Sequence, residues 1–149
     1  MATKAEAVFP NRKEAVMNEQ GILIADKDTQ TRRLLADVLV KAGYQVKTTD
    51  SAADVLSDIL QKNAHIILVG SDFDEKVAAA DLIPMIKKCD RNLTIILVSD
   101  EKSLPMVRKI RSEGIFYHAL RPVSADDREE IRLAVECAFK NVLNVLTIH

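Results

Sequence analysis

The sequence predicts an α/β protein: a doubly wound (βα)5 sandwich around a central five-stranded parallel sheet, with an extended C-terminal helix. Three observations predict it. Short β-rich apolar runs alternate five times with longer stretches of helical period. Two of those runs, "HIILVG" (65–70) and "LTIILVS" (93–99), are apolar throughout, as strands covered on both faces are. No internal repeat, linker or low-complexity tract interrupts the alternation, which favours one sheet with helices on both sides.

"GILIAD" (21–26) reads as the first strand. "DTQTRRLLADVLVKAG" (28–43) follows as a helix with Asp28 as N-cap, Gly43 as C-terminal stop and Leu34, Leu35, Val38 and Ala42 at helical spacing. "YQVKTTD" (44–50) alternates apolar and polar positions, as an edge strand does. "SAADVLSDILQKN" (51–63) opens with Ser51 and Asp54 at capping-box spacing and turns Val55, Leu56, Ile59 and Leu60 inward. After the third strand, "EKVAAADLIPMIKKC" (75–89) is helical in composition, and Pro84 requires that the regular helix start near it or kink there. The fourth strand leads to a helix over 101–114 ended by Gly114, then to a fifth strand, "IFYHAL" (115–120). A long final helix (124–146) has Ser124 as cap and acidic residues in its first turn, where the helix dipole favours them.

The composition bounds function. The chain has 149 residues, enough for one domain with a real core, and 48% hydrophobic with 29% charged residues argues against disorder. A net charge of −1 gives no electrostatic case for nucleic acid or an anionic membrane. No apolar run approaches the roughly 20 residues of a membrane span, and the first residues lack a signal-peptide core. Cys89 and Cys137 read as buried thiols in a reducing compartment. The expected location is the cytoplasm.

In a doubly wound sheet, function gathers beyond the carboxyl ends of the strands. The residues there are Asp26–Asp28, Gly70–Asp74, Ser99–Asp100 and Leu120–Pro122. The segments "ILIADKDTQTRRLLADVLVKAGY", "HIILVG", "IILVSD" and "ALRPVS", in that order and spacing, make residues 21 to about 139 resemble the receiver domain of bacterial two-component response regulators, with its flavodoxin/CheY-like fold. The resemblance implies an acid pair after the first strand that holds Mg²⁺. It implies an aspartate after the third that accepts a phosphoryl group from a histidine kinase, a Thr or Ser after the fourth, and Lys-Pro after the fifth. Residue by residue, Asp26 matches the first acid, Lys27 stands at the second with Asp28 beside it, and Gly70 stands at the phosphoacceptor. Ser99 keeps the hydroxyl, Arg121 replaces the lysine, Pro122 follows it, and His118 stands at the aromatic switch position.

Charge arithmetic then describes a disarmed pocket. Asp26 (−1), Lys27 (+1) and Arg121 (+1) sum to +1, where the family's three carboxylates and one lysine give −2. Opposite charges about 4 Å apart interact by roughly 4 kcal/mol at an effective dielectric near 20, so a Lys27–Asp26 contact is expected in place of a metal. Mg²⁺ needs oxygen ligands. Gly70 offers no nucleophile for a covalent intermediate. No metal, cofactor or enzymatic activity is expected. Structural alternatives stay open: Gly70 as a turn residue, Asp26 and Asp28 as capping acids, Ser99 as a cap, Arg121 as a surface charge, His118 as a hydrogen-bonded core ring.

The reading is therefore a degenerate receiver that signals by protein–protein contact without aspartyl phosphorylation, with a sensor kinase or downstream signalling protein as partner. One alternative is a displaced acceptor at Asp72; another is a small-anion or nucleotide site built on Lys27, Arg121 and Ser99. Residues 1–20 are expected to form an N-terminal extension and 21–149 the receiver-like domain, with no DNA-binding output domain expected after it. Ile131, Val135, Ala138, Val142, Val145 and Leu146, widened by Phe139 and Leu143, make a stripe that outruns the sheet. The stripe's far half suggests a homodimer.

Overall fold

The structure is a computed structural model that describes residues 21–70, 79–100 and 114–148. The strands are β1 (Gly21–Ala25), β2 (Gln45–Thr49), β3 (Ile66–Gly70), β4 (Thr94–Ser99) and β5 (Tyr117–Leu120). The helices are α1 (Thr29–Lys41), α2 (Ala52–Leu60), α3 (Ala79–Cys89) and α4 (Ala125–Ile148). All pairings are parallel, in the order β2-β1-β3-β4-β5. The expected doubly wound sheet is the observed one, and β2 lies at an edge.

The two-residue period of the strands sorts the core into two layers. Leu23, Ala25, Ile67, Val69, Ile95 and Leu97 face α2 and α3, where Val55, Ile59, Leu82, Ile83 and Ile86 meet them. Ile22, Ile24, Ile66, Leu68, Ile96 and Val98 face α1 and α4, where Leu35, Leu39, Ile131, Val135 and Phe139 meet them. Each such side chain contributes roughly 1.5–3 kcal/mol on leaving water, so the central strands hold their register firmly.

The caps fall where the sequence places them. Asp28 accepts from the Thr31 backbone N–H at the start of α1, and Gly43 ends it at φ +98°. Ser51 accepts from Asp54 N–H. Asp127 N–H donates to Ser124 Oγ while the Asp127 carboxylate accepts from Ser124 N–H and Val123 N–H, a reciprocal box at the start of α4.

Several expectations need correction. The buried face of α1 is Thr31, Leu35 and Leu39, one step round from the expected stripe. In α2, Leu60 is exposed and Asp58 is buried in its stead. Of the two expectations for Pro84, only the helix start is overturned: Pro84 lies inside α3, where its ring leaves one carbonyl without an intrahelical donor, the condition for a kink. Both cysteines are exposed free thiols, because each falls on the outer face of its helix. The fourth expected helix and the N-terminal extension lie outside the described residues, as do the side chains of Leu143, Val145 and Leu146. Gly114, at φ +97°, has the left-handed backbone of a helix-ending glycine.

Candidate functional site

β1 delivers Asp26 to the carboxyl rim of the sheet. The Asp26 N–H donates to the Thr49 carbonyl at 3.1 Å, which continues the β1–β2 ladder one residue past the strand and turns the side chain inward. Asp26 is only 2% exposed. Its Oδ1 accepts from the Asp28 N–H at 2.9 Å, and its Oδ2 is buried with no hydrogen-bond partner. Burial pushes its carboxyl above the ordinary carboxylate range, against the lowering effects of the Asp28 N–H and the Arg121 charge. The Arg32 guanidinium donates to the Asp26 backbone carbonyl at 2.6 Å and ties this turn to α1.

Lys27 points the other way. Adjacent residues on extended chain face opposite sides, so with Asp26 inward Lys27 is exposed, and it forms no ion pair among the described residues. The expected Lys27–Asp26 contact is absent. The cations that act on Asp26 are Arg121 and, more weakly, Arg32. Asp28 is committed to its cap, and its bonds from the Thr31 hydroxyl and N–H hold its carboxyl below the usual range.

Gly70 ends β3 directly across from Asp26. A Cβ built on it would lie 2.7 Å from Asp26 Cγ and still nearer to Oδ2. The missing side chain is thus more than a turn preference: the Asp26 carboxylate occupies the volume that an aspartate stem at position 70 would take. Gly70 has no positive φ, so the backbone itself would tolerate another residue. Space decides here.

β4 and β5 supply the other wall. Ser99 is fully buried, and its Oγ lies 3.1 Å from His118 Nε2, so the hydroxyl and ring positions named from the sequence are hydrogen-bonded neighbours. The Arg121 N–H donates to the Ser99 carbonyl at 3.1 Å and extends the ladder, with Pro122 buried behind it. The Arg121 Nη1 pairs with Asp100 at 3.0 Å, while its Nε is buried without a partner. Asp100 stands at the rim where the sequence placed it, while Arg32 is the participant that sequence reasoning leaves out. Asp100 was legible as the residue after Ser99; Arg32, about one turn into α1, carries no local signal.

The charge count changes accordingly. With Lys27 turned out and Asp100 on the outer edge of Arg121, the rim is not the positive pocket expected from Lys27, Arg121 and Ser99. The residues present do not fit the family's Mg²⁺. One inward carboxylate remains, its free oxygen is enclosed under a cationic field, and the second acid position is a lysine facing solvent. Among the described residues no group of three His, Cys, Asp or Glu is placed to hold a metal ion. Asp72 lies outside the described residues.

The family model of the response regulator receiver domain matches residues 22–136. The chain is 30% identical over 101 residues to the DNA-binding transcriptional regulator NtrC of Bradyrhizobium sp. (strain RP501 Parasponia), a match covering 68% of this chain and 21% of that protein. It is 29% identical to sporulation initiation phosphotransferase F of Bacillus subtilis, over 81% of this chain and 94% of that protein. The chain therefore spans about a fifth of the NtrC relative and nearly all of the Bacillus one. The solution structure of the beryllofluoride-activated NtrC4 receiver domain dimer superposes with a TM-score of 0.74 at 18% identity, covering 83% of this chain and 98% of that one.

Proposed function

We propose, from the premise that this chain belongs to the response regulator receiver domain family, that it is a degenerate member which works in two-component signalling by protein–protein contact without becoming phosphorylated on aspartate. One observation carries the reading: the Asp26 carboxylate lies in the space over Gly70 where the acceptor's side chain would stand. A phosphoryl group needs a nucleophile, and position 70 offers none. A receiver also needs its divalent ion, and the acid set for it is broken.

What remains of the signalling machinery is the output side. Ser99 and His118 are joined, and beyond them Leu120 and Val123 stand exposed beside Arg121, Val123 at 86%. Exposed aliphatics flanking a charged residue suit a protein partner. A sensor kinase or a downstream signalling protein fits that role, as does a second copy of this chain, the NtrC4 receiver being described as a dimer. No helix among the described residues is long and apolar enough to cross a membrane, and a cytoplasmic location is proposed with the signalling role.

The test is labelling with acetyl phosphate, and with a phosphorylated histidine kinase, followed by intact mass spectrometry at neutral pH. The expected outcome is no acid-labile gain of about 80 Da. A labile adduct would sink the reading, and Asp72→Ala would then show whether the acceptor is displaced there. Gly70→Asp alone is expected to stay unlabelled, since Asp26 must first swing away and Lys27 still stands at the second acid position.

A further inference from the structure

The amino ends of the strands, opposite the Asp26 rim, frame a cavity of about 350 Å³. The end of α3 reaches it from one helix layer, and Asn141 and Val142 of α4 reach it from the other. Thr94 opens β4 at the cavity and Ser99 closes β4 at the rim, so the two regions lie about 16 Å apart along the strand. The volume falls within the range of small-molecule sites, roughly 300–1,000 Å³.

Lys87 fixes the chemistry of this cavity. Its Nζ donates to the Arg91 carbonyl at 3.4 Å, on the exposed side, and to the Leu93 carbonyl at 3.2 Å. A Cβ on Gly114 would stand 3.2 Å from Lys87 Cε and 3.9 Å from Nζ. Arg91, Leu93 and Gly114 all line the cavity, so the ammonium sits on its wall. Gly114 is exposed and bears no side chain, which leaves the approach to that ammonium open. An ammonium has three N–H bonds; two are used on the carbonyls and one remains for a ligand. Burial pulls Lys87 below the ordinary lysine range, against the raising effect of Asp90, and an anion beside it would offset that burial. Arg91 is exposed on the same wall and forms no ion pair among the described residues. The lining acid, Asp90, is engaged elsewhere: its Oδ1 accepts from the Asn92 N–H at 3.0 Å, and its Oδ2 lies 3.8 Å from Lys62 Nζ. Lys87 (+1), Arg91 (+1) and Asp90 (−1) sum to +1, with Lys62 set against the acid. Beside these cations Ile115, Phe116 and Val142 supply apolar surface, and Phe116 is 40% exposed.

We propose that this cavity binds a small aromatic carboxylate, its oxygens accepting from Lys87 Nζ and the Arg91 guanidinium and its ring lying along Ile115 and Phe116. A guanidinium fork matches the two oxygens of a carboxylate, and an aromatic ring offers Phe116 a flat partner. An inorganic anion would leave the apolar wall uncovered, and an uncharged ring would leave the cations without a counter-charge. A cavity of this size holds roughly a dozen waters at about 30 Å³ each, hence a ligand of about a dozen non-hydrogen atoms.

The test is titration of the full chain, labelled with ¹⁵N, with sodium 2-naphthoate and separately with its uncharged counterpart, 2-naphthylmethanol. The expected result is a saturable shift of the Asn92 and Gly114 amide signals by the carboxylate. A ligand this small should bind with a Kd of about 1 mM, and the alcohol about tenfold more weakly. Arg91→Gln, on an exposed side chain, should weaken binding about fivefold, the scale of one surface ion pair. Lys87→Met should weaken it about tenfold. Lys88→Gln, at an exposed neighbour off the cavity wall, should leave it unchanged. Should loss of the two carbonyl contacts unfold Lys87→Met, the contrast between Arg91→Gln and Lys88→Gln decides. Equal saturation by the alcohol, no saturation by naphthoate up to about 10 mM, unchanged binding by Arg91→Gln, or an equal loss in Lys88→Gln would each overturn the proposal. So would shifts centred on Ser99 and Arg121, which would assign the ligand to the rim.

Discussion

Asp26 and Asp28 stand two residues apart and carry opposite pH signatures. The Asp26 carboxyl is raised by burial, so its favourable contribution is complete below the ordinary carboxylate value and is lost as pH rises through its folded value. Asp28 is lowered by its bonds from Thr31, so its contribution is present above the ordinary value and lost as pH falls through its folded one. At neutral pH, well above the ordinary carboxylate value, the raised Asp26 carboxyl therefore costs the folded state stability. Asp26→Asn should stabilise the protein there by roughly 1 kcal/mol, the scale of an unpaired buried polar atom. Thermal melts should show a gain of about 3 °C at pH 7, shrinking toward pH 4; no gain would mean the carboxylate is better solvated than its enclosure implies. The same contact predicts coupling to position 70. Gly70→Ala should cost about 1–2 kcal/mol by overpacking against Asp26, and most of that loss should vanish in an Asp26→Ala background. Additive single effects in urea denaturation would exclude the contact.

Elements were legible where burial follows a simple period. The apolar runs of β3 and β4 and the capping residues Asp28, Ser51 and Ser124 were readable because local chemistry sets them. The helix faces were less so. Leu60 was assigned inward on its apolar character, yet the helix turns Asp58 in and Leu60 out, since rotation is fixed by packing against α3 rather than by hydrophobicity at one position. At the site, the identities at positions 26, 70, 99, 118 and 121 could be read, but not the geometry. The outward turn of Lys27 overturned the expected contact with Asp26, although strand alternation accounts for it; the filling of the space over Gly70 depends on a side-chain rotamer that no spacing encodes. The seam between α1 and α4 was likewise hidden: Phe139 stacks on Tyr44 with centroids 5.2 Å apart and planes 12° apart. Phe139 is 4% exposed, so Phe139→Ala should cost about 3–5 kcal/mol in denaturant titration. A loss below 1 kcal/mol would show that α4 is held elsewhere.

For the molecule as a whole, the carboxyl rim of the sheet carries both the Asp26–Gly70 contact and, beside Arg121, the exposed Leu120 and Val123. The partner face should govern assembly. If Leu120 and Val123 meet a second copy, light scattering at high micromolar concentration should report a dimer, and Val123→Glu should return it to monomer without lowering its melting temperature. A monomer at that concentration would leave the face to a different protein. The aromatic inventory makes such changes observable without labels. The chain has no tryptophan and two tyrosines; Tyr44 is stacked in the α1–α4 seam, and the Tyr117 hydroxyl donates to Glu130 at 2.5 Å across the β5–α4 junction. Ultraviolet emission thus comes from two phenols, each placed at a joint of the final helix, so a loosening of that helix would register as brightness or spectral drift in the native, untagged chain.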